Sequence, residues 1–563
     1  MSLQPAASTV PFGRTRPLAL GLFVGVALTG LGWIAMLPPF EGFDETAHYS
    51  YVQQLWDTGG LTPEMFLSTD VQAYRATQPT PYGSIPPFEA NRGVTYRAHR
   101  LNPEPAPKGA ARRFAPSREM NWQSQHPPLY YLLMGPVYGA TRDWGWPAHL
   151  LALRLVSWLM ALAGLALGAL ATHRYARVLM PGAGGGAWPD LAGPLALAWP
   201  FFVPMFFPEM GRLGNDSLCL LIMGALWGQL LAMNARAGAA VDAVKLGLLL
   251  GLGLLTKALF VPVALAVIVL FAWQRRWGAL AVTLAAAFLI VGPWYLHSWV
   301  TTGVPIGSTE RRDDFGPAGG VARIVERFTV FAFARGLAAA GASFVWGGTW
   351  SLAKVPALAI LPSVLLVATL ALCGTTALKR GRAPLIGWFP VLVLLTFSAG
   401  LAAHILMRIG VTGAGVGTPG WYTHILAGPL GAWFALGLVE TARGLRARRA
   451  VRGLAACSLV LMFVGSWLQF ALYAGCAAKL GADDGYAFPD GMACAFDPLA
   501  LSARVSGLAY PGAALPLLAA GLALGAWGVF GTLSRATSAA PAAPDSQGLM
   551  PPASARSRSV GID

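Results

Sequence analysis

The sequence predicts an all-α polytopic membrane protein, a bundle of about twelve transmembrane helices with a large first outer loop carrying interfacial helices. Three observations predict it. Only 12% of the 563 residues are charged and 55% are hydrophobic, whereas soluble domains carry roughly 25% charged residues. Mean hydropathy is +0.55. The apolar residues fall in runs near the ~20 residues that cross a bilayer as a helix. The 42 prolines and 67 glycines fit, because membrane helices tolerate both better than soluble ones.

The runs lie near 17–39, 150–173, 189–208, 216–235, 244–256, 258–274, 278–299, 354–377, 384–407, 423–441, 452–473 and 510–532. The first lacks a small-residue cleavage site and reads as a retained span rather than a signal peptide. The 244–256 run is short and reads as bent or re-entrant. The segment 127–141 is apolar but also short, and it decides the topology. If it does not cross, Arg14/Arg16, Arg174/Arg177, Arg236/Lys245, Arg275/Arg276, Lys379/Arg380/Arg382 and Arg443 through Arg452 share one side. The positive-inside rule makes that side the cytoplasm. Only Asp190, Asp242, Glu440, Asp545 and Asp563 then lie inside, leaving 20 of the 25 acidic residues outside. Segment 127–141 is therefore read as interfacial or re-entrant, and both termini as cytoplasmic.

This gives a cytoplasmic N-terminus at 1–16, a transmembrane domain at 17–532 and a disordered Ala/Pro/Ser-rich tail at 533–563. The outer loops are 40–149, 300–353 and 474–509, with an amphipathic helix expected at 321–342. The net charge of +15 would raise nucleic-acid binding in a soluble protein. Here it sits mostly in short loops and no nucleic-acid motif accompanies it, so it reads as topological. Cys219, Cys373 and Cys457 lie in apolar runs and read as packing residues. Cys476 and Cys494 share a polar loop, where a disulfide needs an oxidising compartment. No zinc spacing is present.

The first chemical motif, PPFEGFDETAHYSYVQQL at 38–55, directly follows the first span. Glu41, Asp44, Glu45 and His48 cluster at a helix start, with Asp44 an N-cap candidate. The plain reading is a capped, solvated surface helix. Carboxylates at a membrane boundary are costly unless exposed, paired or used, and one here could deprotonate an acceptor hydroxyl as general base. The second motif, Gln125 to Tyr131, opens the interfacial helix with two prolines suited to a first turn. His126 is either its cap or a group beside the acidic loop. The third runs from Pro208 to Asp216. Glu209, Arg212 and Asp216 either pair with one another or serve a site, and the planar guanidinium suits phosphate oxygens. Asn215-Asp216-Ser217 matches a glycosylation sequon at a span edge, where acceptance is not expected.

Lys257 is a lone cation between two apolar runs. It either snorkels to the headgroups or marks a site, for which a lipid phosphate is the natural partner. Arg154 and Arg408, near outer ends of spans, take the same reading with less weight. The aromatics of Pro419-Gly420-Trp421-Tyr422 read as interfacial anchors.

Together these motifs resemble the GT-C superfamily of membrane glycosyltransferases, closest to a poorly characterised bacterial branch. That branch has a Pro-Pro…Asp-Glu-x-Ala-His-Tyr motif at the first span, then His-Pro-Pro-Leu-Tyr-Tyr-Leu-Leu, then an Arg…Asn-Asp junction. Here these are Pro38-Pro39 with Asp44 through Tyr49, His126 through Leu133, and Arg212 with Asn215-Asp216. Two departures stand out. The branch often has Gly-Arg-Tyr where this chain reads Gly420-Trp421-Tyr422, and the large soluble C-terminal domain of oligosaccharyltransferases is missing. If that arginine binds donor phosphate, Arg408 is a candidate to replace it.

The resemblance implies an external active site in a bacterial inner membrane, using a polyprenyl-phosphate-linked sugar and a lipid, polysaccharide or protein acceptor. Asp44 would be the base, with Glu45 and His126 supporting it directly or through a divalent metal (Mg or Mn) held by Asp44, Glu45 and His126. Arg212 and Lys257 would stabilise the leaving phosphate, with Asn215 and Asp216 in support, and one-step displacement would invert the anomeric centre. Two other classes share the span count, a lipid-linked glycan transporter or polymerase and a non-catalytic scaffold. Neither needs Asp44, Glu45 and His126 beside one loop.

Overall fold

The structure is a computed structural model, describing residues 15–60, 65–77, 112–181, 188–235, 240–302, 320–347, 352–442, 444–480, 485–488, 491–506 and 509–538. The expected tail lies outside them except for its first residues, which continue the last helix, Pro511–Ser538.

Among the described residues nine helices are long and apolar enough to cross a membrane: Arg16–Met36, Trp146–Arg174, Asp216–Ala235, Trp277–Thr301, Ala357–Arg380, Leu385–Thr412, Gly420–Thr441, Leu445–Tyr473 and Pro511–Ala536. Three of the twelve apolar runs differ. The 189–208 run, interrupted by Pro194, Pro200 and Pro208, is divided into Trp188–Leu197, Trp199–Phe202 and Phe206–Met210, because proline removes a helix donor and crowds the preceding turn. The 244–256 and 258–274 runs form helices of 15 and 14 residues, Ala240–Leu254 and Phe260–Trp273, separated by the turn that carries Lys257. The amphipathic segment expected at 321–342 is two helices, Gly320–Arg327 and Val330–Val345, bent by 100°. They bring the count to ten if taken as one span.

The spans pack through small residues, as membrane helices do where backbones approach closely. The first span lies along the last. A Cβ on Gly25 would come within 2.8 Å of the Gly525 nitrogen. Trp146–Arg174 and Asp216–Ala235 cross in the same way, Gly224 facing the Gly164 carbonyl. Cys476 and Cys494 form a disulfide with Cα atoms 5.6 Å apart.

The first loop folds back onto the bundle. After Pro38-Pro39 the chain enters the helix Glu45–Thr58, which ends on Gly59 at φ 68°, a left-handed conformation that costs glycine least. The antiparallel strands Phe66–Ser68 and Pro116–Met120 return the chain to that helix. The helix Leu129–Thr141, 13 residues long, is too short to cross a bilayer unaided and packs against Glu45–Thr58.

Candidate active site

Glu45 is completely buried and held by four N–H donors: Arg154 Nε at 2.8 Å, Arg154 Nη2 at 2.5 Å, the Leu213 amide at 2.9 Å and the Gly42 amide at 3.0 Å. Arg154 also donates to the Leu37 and Pro38 carbonyls at 2.5 and 2.8 Å. One carboxylate thus ties the end of the first span, the start of the loop helix, the Trp146–Arg174 span and the Arg212 turn into one unit. A buried ion pair is tolerable only when its remaining lone pairs and protons are satisfied in this way.

Asp44, its neighbour, is partly exposed and differently disposed. It is the N-cap residue of Glu45–Thr58, yet its side chain does not cap the helix, and its backbone is left-handed at φ 54°. Aspartate is among the few residues that visit this region. Its Oδ1 accepts a hydrogen bond from Trp122 Nε1 at 3.0 Å. Phe43 stacks on Trp421 with ring centroids 4.7 Å apart, so the segment expected to be an interfacial anchor is packed against the acidic loop.

A second cluster joins two turns of the chain. Arg212, 2% exposed, donates through Nε and Nη2 to Glu209, and through Nη2 to Asp216 at 3.0 Å. Lys257 Nζ reaches both oxygens of Asp216 at 2.9 Å and lies 4.6 Å over the Tyr422 ring, a cation–π distance. The pairing of Glu209, Arg212 and Asp216 that the sequence allows is therefore present, with Lys257 added to it. Burial works against the Arg212 charge, but Glu209, Asp216 and, more weakly, Asp44 hold the guanidinium above its usual range. Arg212 Nη1 is its least engaged nitrogen, 3.5 Å from the Leu213 carbonyl. Asn215 is completely buried, its Nδ2 3.5 Å from the Thr256 carbonyl and its Oδ1 without a hydrogen-bond partner among the described residues.

His126 and His48 connect the clusters. Their rings are nearly parallel, 8° apart in orientation, with centroids 6.4 Å apart. His48 Nδ1 pairs with the Tyr131 hydroxyl at 3.0 Å, and the Tyr51 hydroxyl donates to the His126 carbonyl at 2.9 Å. Burial pushes the His126 imidazole down to about 3, aided by Lys257 and Arg212 and opposed by Asp216. Burial and Arg212 likewise push His48 well below its usual value, with smaller contributions from His126 and Lys257. Both rings are therefore neutral near pH 7.

The structure thus gathers Asp44, Glu45, Arg212, Asp216, Asn215, Lys257 and His126 around the first loop and the two turns that meet it. Arg408 sits on the Phe389–Thr412 helix beside Gly417, where a Cβ would come within 3.3 Å of its Nη2. Gly417 lies three residues ahead of Gly420. The expected metal set of Asp44, Glu45 and His126 is not assembled. The donors on Glu45 occupy both its oxygens, and among the described residues no three His, Cys, Asp or Glu side chains converge as ligands. Trp122 lies outside every sequence motif, whereas Tyr131 and Tyr422 lie inside two of them, where no site role was expected of either. A tryptophan four residues before His126 in a polar loop was the available signal.

An apolar cavity of about 300 Å³ adjoins the turn Gly420–Leu426. Its walls include Leu337, Phe344, Leu401, Ile405, Thr423 and Phe434.

Fold and site define a polytopic helical membrane protein in which a first-loop aspartate neighbours a buried cluster of two cations and two carboxylates. No protein-family model and no curated protein matches the chain. Among solved structures it is similar to ArnT from Cupriavidus metallidurans, both bound to undecaprenyl phosphate and in the apo state, at 15% identity over 92% of this chain and 77% of that one, with a TM-score of 0.45. It is also similar to the Archaeoglobus fulgidus oligosaccharyltransferase in complex with Zn and sulfate, at 12% identity over 81% of this chain and 52% of that one, with a TM-score of 0.42.

Proposed function

We propose that the chain is a membrane glycosyltransferase that moves a sugar from a polyprenyl-phosphate donor to an acceptor hydroxyl. The observation that carries this reading is the pair Arg212 and Lys257, buried on a shared Asp216 beside an aspartate whose side chain does not cap its own helix. Charges buried at the turns between apolar helices are costly unless they are paired or used. The three sequence motifs that resemble GT-C enzymes contribute Asp44, His126, Arg212, Asn215 and Asp216 to this site.

Asp44 accepts the proton of the acceptor hydroxyl as its oxygen attacks the anomeric carbon. The bond from that carbon to the phosphate oxygen breaks on the opposite face, so configuration inverts. The leaving polyprenyl phosphate gains negative charge as the bond breaks. Arg212, through Nη1, and Lys257 stabilise that charge where it develops. Glu45 positions Asp44 rather than reacting, because its oxygens are already occupied. The apolar cavity beside Gly420–Leu426 receives part of the prenyl chain. The enzyme sits in a bacterial inner membrane with this site on the external face, where lipid, polysaccharide or protein acceptors are available.

The test is reconstitution into proteoliposomes with a polyprenyl-phosphate-linked sugar and candidate acceptors. A transferase releases free polyprenyl phosphate in step with glycosylated acceptor. A chain that moves the labelled donor across the bilayer with its sugar bond intact is a transporter, and the reading fails.

A further inference from the structure

The side chain of Asp44 is unusual for its place. An aspartate at a helix N-cap normally accepts from the amides of the first turn, and this one does not. The amides of Ala47 and His48 are bonded to the Asp44 carbonyl instead, at 3.0 and 2.9 Å. Its carboxylate accepts one hydrogen bond, from the Trp122 indole N–H at 3.0 Å on Oδ1. Among the described residues no other group donates a hydrogen bond to that carboxylate.

The backbone that carries the indole is fixed. Asn121, completely buried, donates its own amide to the Met65 carbonyl at 2.8 Å and its Nδ2 to the Ala47 carbonyl at 2.8 Å. Its Oδ1 accepts the Gln123 amide at 2.9 Å, closing a turn around Trp122. The strand pair that ends at Met120 delivers the chain to this point. The segment 121–131 is then clipped along the loop helix through Ala47, Tyr51 and His48.

We infer that Trp122 is a positioning residue for the reaction. It holds one oxygen of Asp44 so that the other faces the acceptor hydroxyl. This inference rests on the reading of Asp44 as the base. An indole N–H suits the task because it donates and cannot accept, so it bonds the ionised carboxylate, the form that takes the acceptor's proton. An acceptor held in a near-attack geometry depends on such fixed supports.

The experiment replaces Trp122 with 3-benzothienylalanine, which keeps the ring shape and exchanges the N–H for sulfur, and separately with Phe. Sugar transfer is measured with the polyprenyl-phosphate sugar alongside unfolding temperature. Loss of one hydrogen bond to a charged group corresponds to a tenfold to hundredfold fall, by order of magnitude. Both variants should show that fall in kcat, with KM for the donor within about twofold and unfolding temperature held by the benzothienyl variant. Full kcat in the benzothienyl variant would reduce Trp122 to a packing residue and overturn the inference. So would a rise in donor KM that accounts for the whole effect. If Asp44→Asn retains full kcat, the parent reading fails instead, and the two failures are distinguishable.

Discussion

Arg154 and Glu45 are 109 residues apart in sequence, and Arg154 grips both oxygens of Glu45, from Nε at 2.8 Å and from Nη2 at 2.5 Å. Both side chains are at most 2% exposed. Removing one partner leaves the other charge buried and uncompensated, which typically costs about 3–5 kcal/mol. Arg154→Met should therefore lower the unfolding temperature in detergent sharply. An unchanged unfolding temperature would contradict the clamp.

The same clamp makes Gly42 intolerant of a side chain. A Cβ there would lie 2.4 Å from Glu45 Cδ and 2.8 Å from Arg212 Cβ, well inside contact distance. Gly42→Ala should lower both stability and sugar transfer. Gly60→Ala, where nothing among the described residues lies within 4 Å of the new atom, is the matched control and should change neither.

Lys257 contributes a charge-assisted donor, and such a contact is worth about 1.5–3 kcal/mol. Lys257→Ala should weaken polyprenyl-phosphate binding by about tenfold or more. Its removal also leaves Asp216 with Arg212 as its remaining cationic partner, so Lys257→Ala combined with Asp216→Asn should recover stability without recovering affinity. Recovery of both would show that Lys257 serves only to neutralise Asp216.

The two imidazoles set a pH dependence of known sign. His126 titrates near 3 in the folded chain, against about 6.5 when unfolded. Between those values the unfolded chain binds more protons, so its share of the stability is complete above about pH 6.5 and is lost as pH falls toward 3. His48 is shifted in the same direction. His126→Asn should flatten the acid side of a plot of unfolding temperature against pH. An identical slope in wild type and variant would contradict the shift.

Most of the architecture was legible because length and apolarity decide whether a helix spans. Nine of the twelve apolar runs are helices long and apolar enough to span among the described residues. The other three fail at identifiable places, the prolines within 189–208 and the Thr256-Lys257 turn. Asp44 and His126 stood out within the motifs of the first outer loop, and Arg212, Asp216 and Lys257 as charges at the edges of apolar runs. Their partnerships were less visible. Nothing local links Glu45 to Arg154, so a residue expected near the chemistry is found as a structural clamp. Trp421 and Tyr422 carried the composition of an interfacial belt, yet they pack against Phe43 and Lys257. Composition gives an aromatic residue its affinity for the interface; only tertiary packing decides which way it faces.

In the proposed reaction Asp44 is the base, and Arg212 and Lys257 hold the leaving phosphate. One pair of measurements on Asp44→Asn tests it most directly: turnover with a polyprenyl-phosphate-linked sugar, and binding of polyprenyl phosphate to the same preparation. Sugar transfer should fall by at least about a hundredfold with the lipid phosphate bound as tightly as by wild type. Transfer that continues at the wild-type rate while the lipid still binds would contradict it.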